Sequence, residues 1–267
     1  MIAKLERNII KGAIVVIFSV FFFLMISNKS KIYAQEIVLT SNVIISKAVK
    51  AIGGEDNLRN LDNKNNCCVE SYVFNSEMDL VSNNKFCYKK PNKILMSDKS
   101  VVAAQVSKGQ VFLTSIFNSG KVSVKFTEEA MEVNNAWIKE FFKKNCEAII
   151  KTGVFELLYL LDHPDEANFI GKKSIAGKNY LAIELQLTES VKDVYFFDEE
   201  TFYLMKKSRT LIIAGEEHIT EIYYSDPRVL QGVVFAYRIQ IYLDKNFIST
   251  NWKKQISFDP LEDRLFE

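Results

Sequence analysis

The sequence predicts an α+β fold, in which one curved antiparallel sheet of about ten strands is accompanied by helices at the start and in the middle of the chain. Short segments rich in β-branched and aromatic residues recur from residue 68 to 126 and from 181 to 258, separated by turn residues. Helical spacing of apolar residues interrupts this series before residue 53 and between residues 128 and 161. The 267 residues include only ten Gly and four Pro, so we expect no flexible linker between domains, and an open sheet of this width tends to curl.

Residues 1–34 differ in composition from the remainder of the chain. A positively charged start is followed by an uninterrupted apolar run, Gly12–Ile26, and by a polar stretch that ends at Ala34. This order predicts a secretory signal peptide that is removed after Ala34, leaving residues 35–267 as a single exported domain. The 15-residue run is shorter than the ~20 residues that span a bilayer comfortably. An uncleaved N-terminal anchor in the inner membrane is the alternative, since Ile32 is a mediocre residue so close to a cleavage site.

The distribution of charge argues against nucleic acid as a partner. The chain carries 34 basic and 33 acidic residues, but five of the basic residues and only one acidic residue lie in residues 1–34. Residues 35–267 therefore carry 29 basic and 32 acidic residues, so the net charge changes from +1 for the whole chain to −3. No basic excess remains for contacts with phosphates.

The first predicted helix covers residues 41–52. Apolar residues recur there at helical spacing and form one face: Ile44, Ile45, Ala48, Val49 and Ile52. Thr40 or Ser41 can cap the N-terminus, and the pair Gly53-Gly54 ends the helix, because Gly readily adopts the left-handed conformation. A second short helix is predicted over 55–61. Since the two glycines follow a helix and not a strand, we interpret them as a cap and not as a phosphate-binding loop.

Strands follow in the first half of the sheet. The predicted segments are Cys68–Phe74, Lys85–Lys89, Lys93–Ser97, Val101–Val106 and Gln110–Phe117. In the next segment, 121–126, Val122, Val124 and Phe126 alternate with polar residues, which is the pattern of a half-buried strand.

The middle of the chain changes to helical spacing. Glu128–Thr152 is predicted as a helix, with a break near Asn134-Asn135, and its apolar side includes Trp137 and Phe141. A further helical segment over 154–161 ends at the turn Asp162-His163-Pro164. This region is the natural cover for the concave face of the sheet.

Strands resume in the second half. They are predicted over 181–187, 191–197, 203–213, 218–224, 233–243 and 247–258. Asp198, Gly215 and Asp226-Pro227 separate them at short intervals, as in an antiparallel meander.

Four cysteines, at positions 67, 68, 87 and 146, permit disulfides in an exported protein. Cys67 and Cys68 point to opposite faces of a strand, so we do not expect them to pair with each other. Cys87 lies on the predicted return strand of a hairpin, which gives the hypothesis of a cross-strand Cys68–Cys87 or Cys67–Cys87 bond. Four buried, reduced thiols are the alternative. The spacing of Cys and His residues predicts no zinc site.

Catalytic motifs are not recognisable. The two histidines, His163 and His218, lie in different neighbourhoods, and no G-x-S-x-G segment supplies a nucleophile. Each histidine is more typical of a surface or a strand than of a catalyst. The sequence therefore predicts neither an enzyme nor a cofactor.

Several turn and strand motifs of the C-terminal half occur in a recognisable order. They are GKKSIAGKNY at 171–180, VYFFDEET at 194–201, IYYSD at 222–226 and QGVVFAYRI at 231–239. Together with AVKAIGG at 48–54, this order resembles the LolA-like outer-membrane lipoprotein-sorting proteins, a group that includes LolB-like proteins. The resemblance extends from about residue 40 to the end and is thin between residues 60 and 165. Ala236 stands where the family often has Pro.

The resemblance implies an incomplete, curved β-barrel closed by helices, located in the periplasm, with a hydrophobic cavity for acyl chains. On this basis the chain is expected to be a non-enzymatic carrier of a lipid or a lipoprotein acyl chain in the bacterial cell envelope. The candidate ligand contacts are Trp137, Phe141 and Phe142 on the helix, and Val122, Val124 and Phe126 on the sheet. An ordinary closed core is the alternative for each of them. An envelope interaction or scaffolding module on the same fold, without a bound ligand, is the alternative function, and envelope membrane proteins are its candidate partners.

Overall fold

The computed structural model describes residues 39–100, 112–126, 131–132 and 136–267. All the helices and strands described lie in one compact unit, Thr40–Glu267. The predicted signal peptide, residues 1–34, and the predicted strand Val101–Val106 lie outside the described residues. Within the described ranges, no helix is both long enough and apolar enough to cross a membrane.

The described elements follow the predicted order of helix, sheet, helix, sheet. The helices are α1 (Ser41–Ala51), α2 (Glu55–Asp62), α3 (Ala136–Thr152) and α4 (Glu156–Asp162). The strands before α3 are β1 (Asn66–Phe74), β2 (Leu80–Lys89), β3 (Lys93–Ser100), β4 (Phe112–Asn118), β5 (Lys121–Phe126) and β6 (Met131–Glu132). Those after α4 are β7 (Ala167–Ile175), β8 (Lys178–Thr188), β9 (Val191–Asp198), β10 (Leu204–Ile213), β11 (Glu216–Leu230), β12 (Val233–Leu243) and β13 (Asn246–Ser257).

The described strands form one antiparallel sheet, which confirms the predicted α+β class with a curved, unclosed sheet and helices. The order of the thirteen strands is β6-β5-β4-β3-β2-β1-β13-β12-β11-β10-β9-β8-β7. The first and last strands therefore pair in the centre, and the two edges are β6 and β7. Helices α3 and α4 connect these two edges, as expected for an incomplete barrel that helices close.

Two local predictions were wrong, and one strand was missed. The helix predicted over 128–152 begins only at Ala136, and Met131–Glu132 pairs instead with Lys125 and Phe126 as the edge strand β6. The segment 167–175 forms the edge strand β7, which the sequence did not predict, because an edge strand that is mostly accessible lacks a clear alternation. Asp226-Pro227 lies inside β11 and not at a turn. Asp226 adopts a positive φ of 54°, and Pro227 faces Ala236 without interrupting the register.

Helix α1 ends as predicted and is anchored to the sheet at the same point. The Thr40 side chain accepts a hydrogen bond from the Val43 amide at its start, and the Gly54 amide donates to the Val49 carbonyl at its end. Beyond the helix, the Val234 amide donates to the Ile52 carbonyl at 2.8 Å. This bond fixes the end of α1 against the beginning of β12.

The sheet packs against other elements on both faces around β2 and β3. On one face, Tyr88, Ile94 and Phe117 form a buried cluster with Phe142 and Cys146 of α3. On the other face, Cys87 and Leu95 pack against Phe266 of a short C-terminal 3-10 helix, Asp263–Phe266. Neighbouring residues of β2 and β3 thus belong to different clusters: Tyr88 and Ile94 face α3, whereas Cys87 and Leu95 face the C-terminal segment.

Candidate functional site

Two adjoining cavities lie between the sheet and the junction of α3 and α4. Their volumes are about 310 Å³ and about 340 Å³, each at the lower end of the ~300–1,000 Å³ typical of ligand pockets. Both are bordered by Val154, Phe155, Glu156, Tyr224, Phe235 and Lys253. These shared residues make the two cavities neighbouring compartments of one site.

The first cavity lies between the N-terminal helices and strands β10 to β12. Its lining includes Ile52 after α1, Leu58 of α2, Leu157 of α4, and Val233 and Val234 of β12. Tyr203, Leu204 and Met205 border it from the start of β10. Most of these side chains are aliphatic or aromatic, so the compartment favours an apolar occupant.

The second cavity lies over the centre of the sheet. Apolar lining comes from strands of both halves of the sheet and from α3: Val69, Phe86, Met96, Ile149, Ile239 and Ile241. Polar lining comes from Ser71, Asn84, Asn251 and Lys253. A few polar groups in an otherwise apolar concave surface are the usual arrangement of a binding site for a small molecule.

An irregularity in the pairing of β1 with β13 places Lys253 in this site. Val69 pairs with Ile256 and Ser71 with Lys253, so the register shifts by one residue between Glu70 and Ser71. Without that bulge, the period of two would put Lys253 and Ile256 on opposite faces of β13. Because of it, both side chains line the second cavity.

Lys253 is held in surroundings that disfavour its charge. Burial lowers the pKa of the Lys253 ammonium to about 8. The nearby Cys67 acts in the opposite direction, but its effect on the pKa is smaller. Burial likewise raises the pKa of Cys67 to about 11, so that thiol is neutral at physiological pH. Among the described residues, no carboxylate lies within 4.0 Å of the Lys253 ammonium.

A buried network of charges borders the site at α4. Arg209 donates to both carboxylate oxygens of Asp193 at 2.7 Å, and the Lys207 ammonium donates to Glu156. Burial raises the pKa of Asp193, but the charges of Lys207 and Arg209 outweigh it, and the net direction is downward. Glu156, which borders both cavities, is therefore already engaged by a cation.

Four of the six residues predicted as ligand contacts have described side chains, and these four lie in two groups. Phe142 is buried in the cluster on α3, and Val122 packs against that cluster together with Phe86, Met96 and Ile149, which line the second cavity. Trp137 and Phe141 stack on each other with ring centroids 5.1 Å apart.

None of these four side chains is among the residues that border either cavity. Val124 pairs with Ser115 and Phe126 with Leu113 in the sheet, but the side chains of Val124 and Phe126 lie outside the described part of the chain.

The two histidines lie away from the cavities. His218 donates a hydrogen bond from Nδ1 to the Asp244 carboxylate at 2.9 Å and contacts the Trp137 ring edge-on. His163 stacks on Tyr159. In the described ranges, no group of three or more His, Cys, Asp and Glu side chains is arranged to hold a metal ion.

A disulfide joins Cys68 of β1 to Cys87 of β2, which are directly paired in the register. It lies on the face that packs against the C-terminal segment. Cys67 and Cys146 are buried free thiols, and Cys67 borders the second cavity on the opposite face. The structure thus contains the first of the two pairings that the sequence left open.

Sequence reasoning missed most of the residues that border the cavities. Phe155 and Val154 lie in the short link between α3 and α4, where periodicity gives no information about direction. Lys253 was missed because a bulge reverses the face of β13 on which it lies. The motif QGVVFAYRI at 231–239, part of the family resemblance, does contain Phe235, which borders both cavities.

The fold and the site define a class of protein: a helix-covered, incomplete β-barrel with an apolar cavity between sheet and helices. No family model matches the sequence, and no curated protein matches it. Solved structures with similar folds include a LolA superfamily protein from Nitrosomonas europaea, at 12% identity and a TM-score of 0.48, covering 86% of this chain and 98% of that one.

Two further solved structures are similar. A DUF1329 family protein from Desulfovibrio piger has 12% identity and a TM-score of 0.46, covering 84% of this chain and 96% of that one. A domain described as outer membrane lipoprotein-sorting, from Vibrio parahaemolyticus, has 10% identity and a TM-score of 0.40, covering 79% of this chain and 94% of that one. At these identities the likeness concerns the fold and says nothing about a ligand.

Proposed function

We propose that the protein is an exported, non-enzymatic carrier that binds a lipid or lipoprotein acyl chain of the cell envelope in the two adjoining cavities. One observation carries this proposal. The two compartments share an aromatic and aliphatic border, Val154, Phe155 and Phe235, and each is of the size of a ligand pocket. An extended apolar chain that passes this border would occupy both.

Burial of methylene groups supplies the affinity in this proposal. Each buried methylene contributes ~0.8 kcal/mol, so about ten of them contribute ~8 kcal/mol before the cost of association. No catalytic chemistry is needed, because the apolar lining alone removes the chain from water. Phe142 and Val122, predicted as contacts, would support the lining formed by Phe86, Met96 and Ile149 from behind.

Export is part of the proposal because an acyl-chain carrier of the envelope acts outside the cytoplasm. The signal peptide predicted over residues 1–34 supports it. Sequencing the N-terminus of the secreted protein tests the predicted cleavage after Ala34. A mature protein that begins at Met1 contradicts that cleavage and favours the anchored alternative.

A substitution that fills the cavity tests the binding itself. Ile241 borders the second cavity, whereas Ile248 on the neighbouring strand β13 is 53% exposed. Purified protein is delipidated and titrated with a fluorescent fatty-acyl probe. We expect Ile241→Trp to weaken binding at least ~10-fold, equivalent to ~1.4 kcal/mol or about two methylenes, and the matched control Ile248→Trp to bind like the wild type.

Lipid extraction and mass spectrometry of the purified protein complete the test. A protein that is free of lipid as purified and does not bind the probe contradicts the carrier function. That result favours the alternative of an envelope interaction module on the same fold. Equal binding by Ile241→Trp and Ile248→Trp would place the probe outside the cavities.

A further inference from the structure

The half-buried Lys253 differs from the fully buried cations near the cavities because it has no carboxylate partner. Lys206 pairs with Glu221, Lys207 with Glu156, and Arg209 with Asp193. Among the described residues, the Lys253 side chain makes neither an ion pair nor a hydrogen bond, although it borders both cavities. A charge in apolar surroundings is unfavourable unless it is paired. An anion from outside the chain would therefore be stabilised next to this ammonium.

Polar groups continue from Lys253 across the floor of the second cavity. Lys253 of β13 pairs in register with Ser71 of β1, and Ser71 pairs with Asn84 of β2. All three side chains border the cavity, and they form a polar row across three adjacent strands. At the far end of this row the Asn84 amide donates to the Asp98 carboxylate of β3 at 3.0 Å, so an anion is favoured at the Lys253 end. Two residues along β13, the side-chain oxygen of Asn251 is buried without a hydrogen-bond partner in the structure and also borders this cavity. It could accept a hydrogen bond from a protonated head group or from a water molecule.

The titratable groups that border the site with Lys253 leave its charge uncompensated. Cys67 of β1 and Tyr224 of β11 are neutral at physiological pH, because burial raises the pKa of both groups. Tyr203, directly before β10, is a further titratable side chain on the border of the first cavity. Glu156 of α4 is the one acid on the cavity borders in the described ranges, and it accepts a hydrogen bond from Lys207.

We propose that Lys253 binds the anionic head group of the acyl-chain ligand at the border of the two cavities. This inference rests on the proposed function and adds a ligand class: single-chain amphiphiles with a carboxylate or phosphate head, in preference to neutral ones. The apolar compartments hold the chain, and Lys253 with the neighbouring Ser71 holds the head. Binding the anion inside the cavity pairs an ammonium that is otherwise alone.

Four probes test the head group at constant chain length: hexadecanoate, hexadecanol and hexadecyl phosphate, with inorganic phosphate as the head group alone. We expect the wild type to bind hexadecanoate at least ~10-fold more tightly than hexadecanol. We expect Lys253→Met to remove that difference without weakening hexadecanol, and Lys253→Arg to retain it. The neighbouring Lys254 is exposed and contacts Tyr72, so Lys254→Met is the matched control and should bind like the wild type.

The pH dependence gives a second readout. The free Lys253 ammonium loses its proton above a pKa of about 8, so hexadecanoate binding must take up a proton there. Affinity for hexadecanoate should therefore be constant from about pH 6 to 7, be about halved near pH 8 and then fall by up to ~10-fold per pH unit. Affinity for hexadecanol, and that of Lys253→Met for hexadecanoate, should not show this fall.

The outcomes separate this inference from the proposed function. Equal affinity of the wild type for hexadecanoate and hexadecanol overturns the role of Lys253 but leaves the carrier function standing. Failure of all chain-bearing probes overturns both. Inorganic phosphate that binds through Lys253 while the chain-bearing probes do not also overturns the inference. Tighter binding of hexadecyl phosphate than of hexadecanoate supports it and identifies phosphate as the preferred head.

Discussion

Gly53 and Gly232 approach each other so closely that a side chain at Gly53 has no room. A Cβ atom there would lie 2.1 Å from the carbonyl oxygen of Gly232, and Gly53 adopts a φ of +124°. Asn57 of α2 reinforces the contact by donating to the Gly53 carbonyl at 2.8 Å. The pair therefore attaches the junction of α1 and α2, where Ile52 and Leu58 border the first cavity, to the turn between β11 and β12.

Substitution of Gly53 is expected to destabilise the protein more than substitution of a turn glycine does. Gly53→Ala combines an unfavourable backbone conformation with a backbone collision, and we expect a loss of at least ~3 kcal/mol. Gly177, in the turn between β7 and β8, has a φ of +77°, and a Cβ atom there would meet nothing within 4 Å. Gly177→Ala should therefore cost only about 1 kcal/mol. Urea unfolding of the two variants measures the difference, and equal losses would contradict the close approach.

The buried ion pair of Asp193 and Arg209 gives a second prediction. Asp193 is fully buried and Arg209 is 4% exposed, so Arg209→Met removes both close hydrogen bonds from the carboxylate and leaves only the Lys207 ammonium at 3.9 Å. We expect a loss of about 3–5 kcal/mol in the free energy of unfolding. The matched control is Arg228→Met, because Arg228 pairs with Asp226 at the surface, where solvent screens the pair and its loss changes stability little. Similar losses in both variants would contradict the buried pair.

The lowered pKa of Asp193 also indicates how the stability of the folded protein changes with pH. Burial raises the pKa of Asp193 in the folded protein, but Lys207 and Arg209 lower it by more, so the net pKa is lowered. The stabilisation is therefore fully present above the unfolded-state pKa of about 3.9 and is lost as the pH falls through the lower folded-state value. Thermal unfolding of the wild type between about pH 6 and pH 2 measures this loss. A protein whose stability rises on acidification through that range would contradict it.

The disulfide predicts a dependence on reductant that distinguishes two neighbouring cysteines. Cys68 and Cys87 are 19 residues apart in sequence, and a loop of this size corresponds to about 3 kcal/mol of stabilisation. Reductant should lower the stability of the wild type and of Cys67→Ala, but not that of Cys68→Ala. The opposite pattern in the two variants would assign the bond to Cys67 instead. Urea unfolding with and without reductant makes the comparison.

We expect one residue of the C-terminal segment, Phe266, to contribute strongly to the stability of the fold. Phe266 is 1% exposed and packs on Cys87 and Leu95, whereas its neighbour Leu265 is 38% exposed. Phe266→Ala should cost about 3–5 kcal/mol, and Leu265→Ala within about 0.5 kcal/mol. Equal and small effects on thermal unfolding would mean that the segment does not cover this face of the sheet in solution.

The same segment is held by charge. Hydrogen bonds from Lys89 and Lys93, each at 2.8 Å, lower the pKa of Asp263 to about 2. Folding of the segment onto β2 and β3 is thus compatible with all but strongly acidic conditions.

Local pattern and local chemistry predicted much of this fold. The period of two in β5 and β8, and the helical spacing that ends at Gly53-Gly54, are properties of short segments, because side-chain direction repeats with the backbone period. The same reasoning led to Cys68 and Cys87 as one of two pairings, since residues on facing hairpin strands come close in space. It failed where the pattern was weak, at the mostly accessible edge strand β7 and at Asp226-Pro227.

The site itself depends on relationships that no short segment contains. The sequence determined that the chain has an apolar head, a body of antiparallel strands and a helical middle that can cover them. Only the tertiary structure decided that Phe155 and Phe235 border two cavities and that Phe142 packs behind them. It also decided that Lys253 lies inside, because the bulge against β1 reverses its face. Pairing between the first and last strands sets that register, and pairing over such a distance is specified by packing of the whole sheet and not by local propensity.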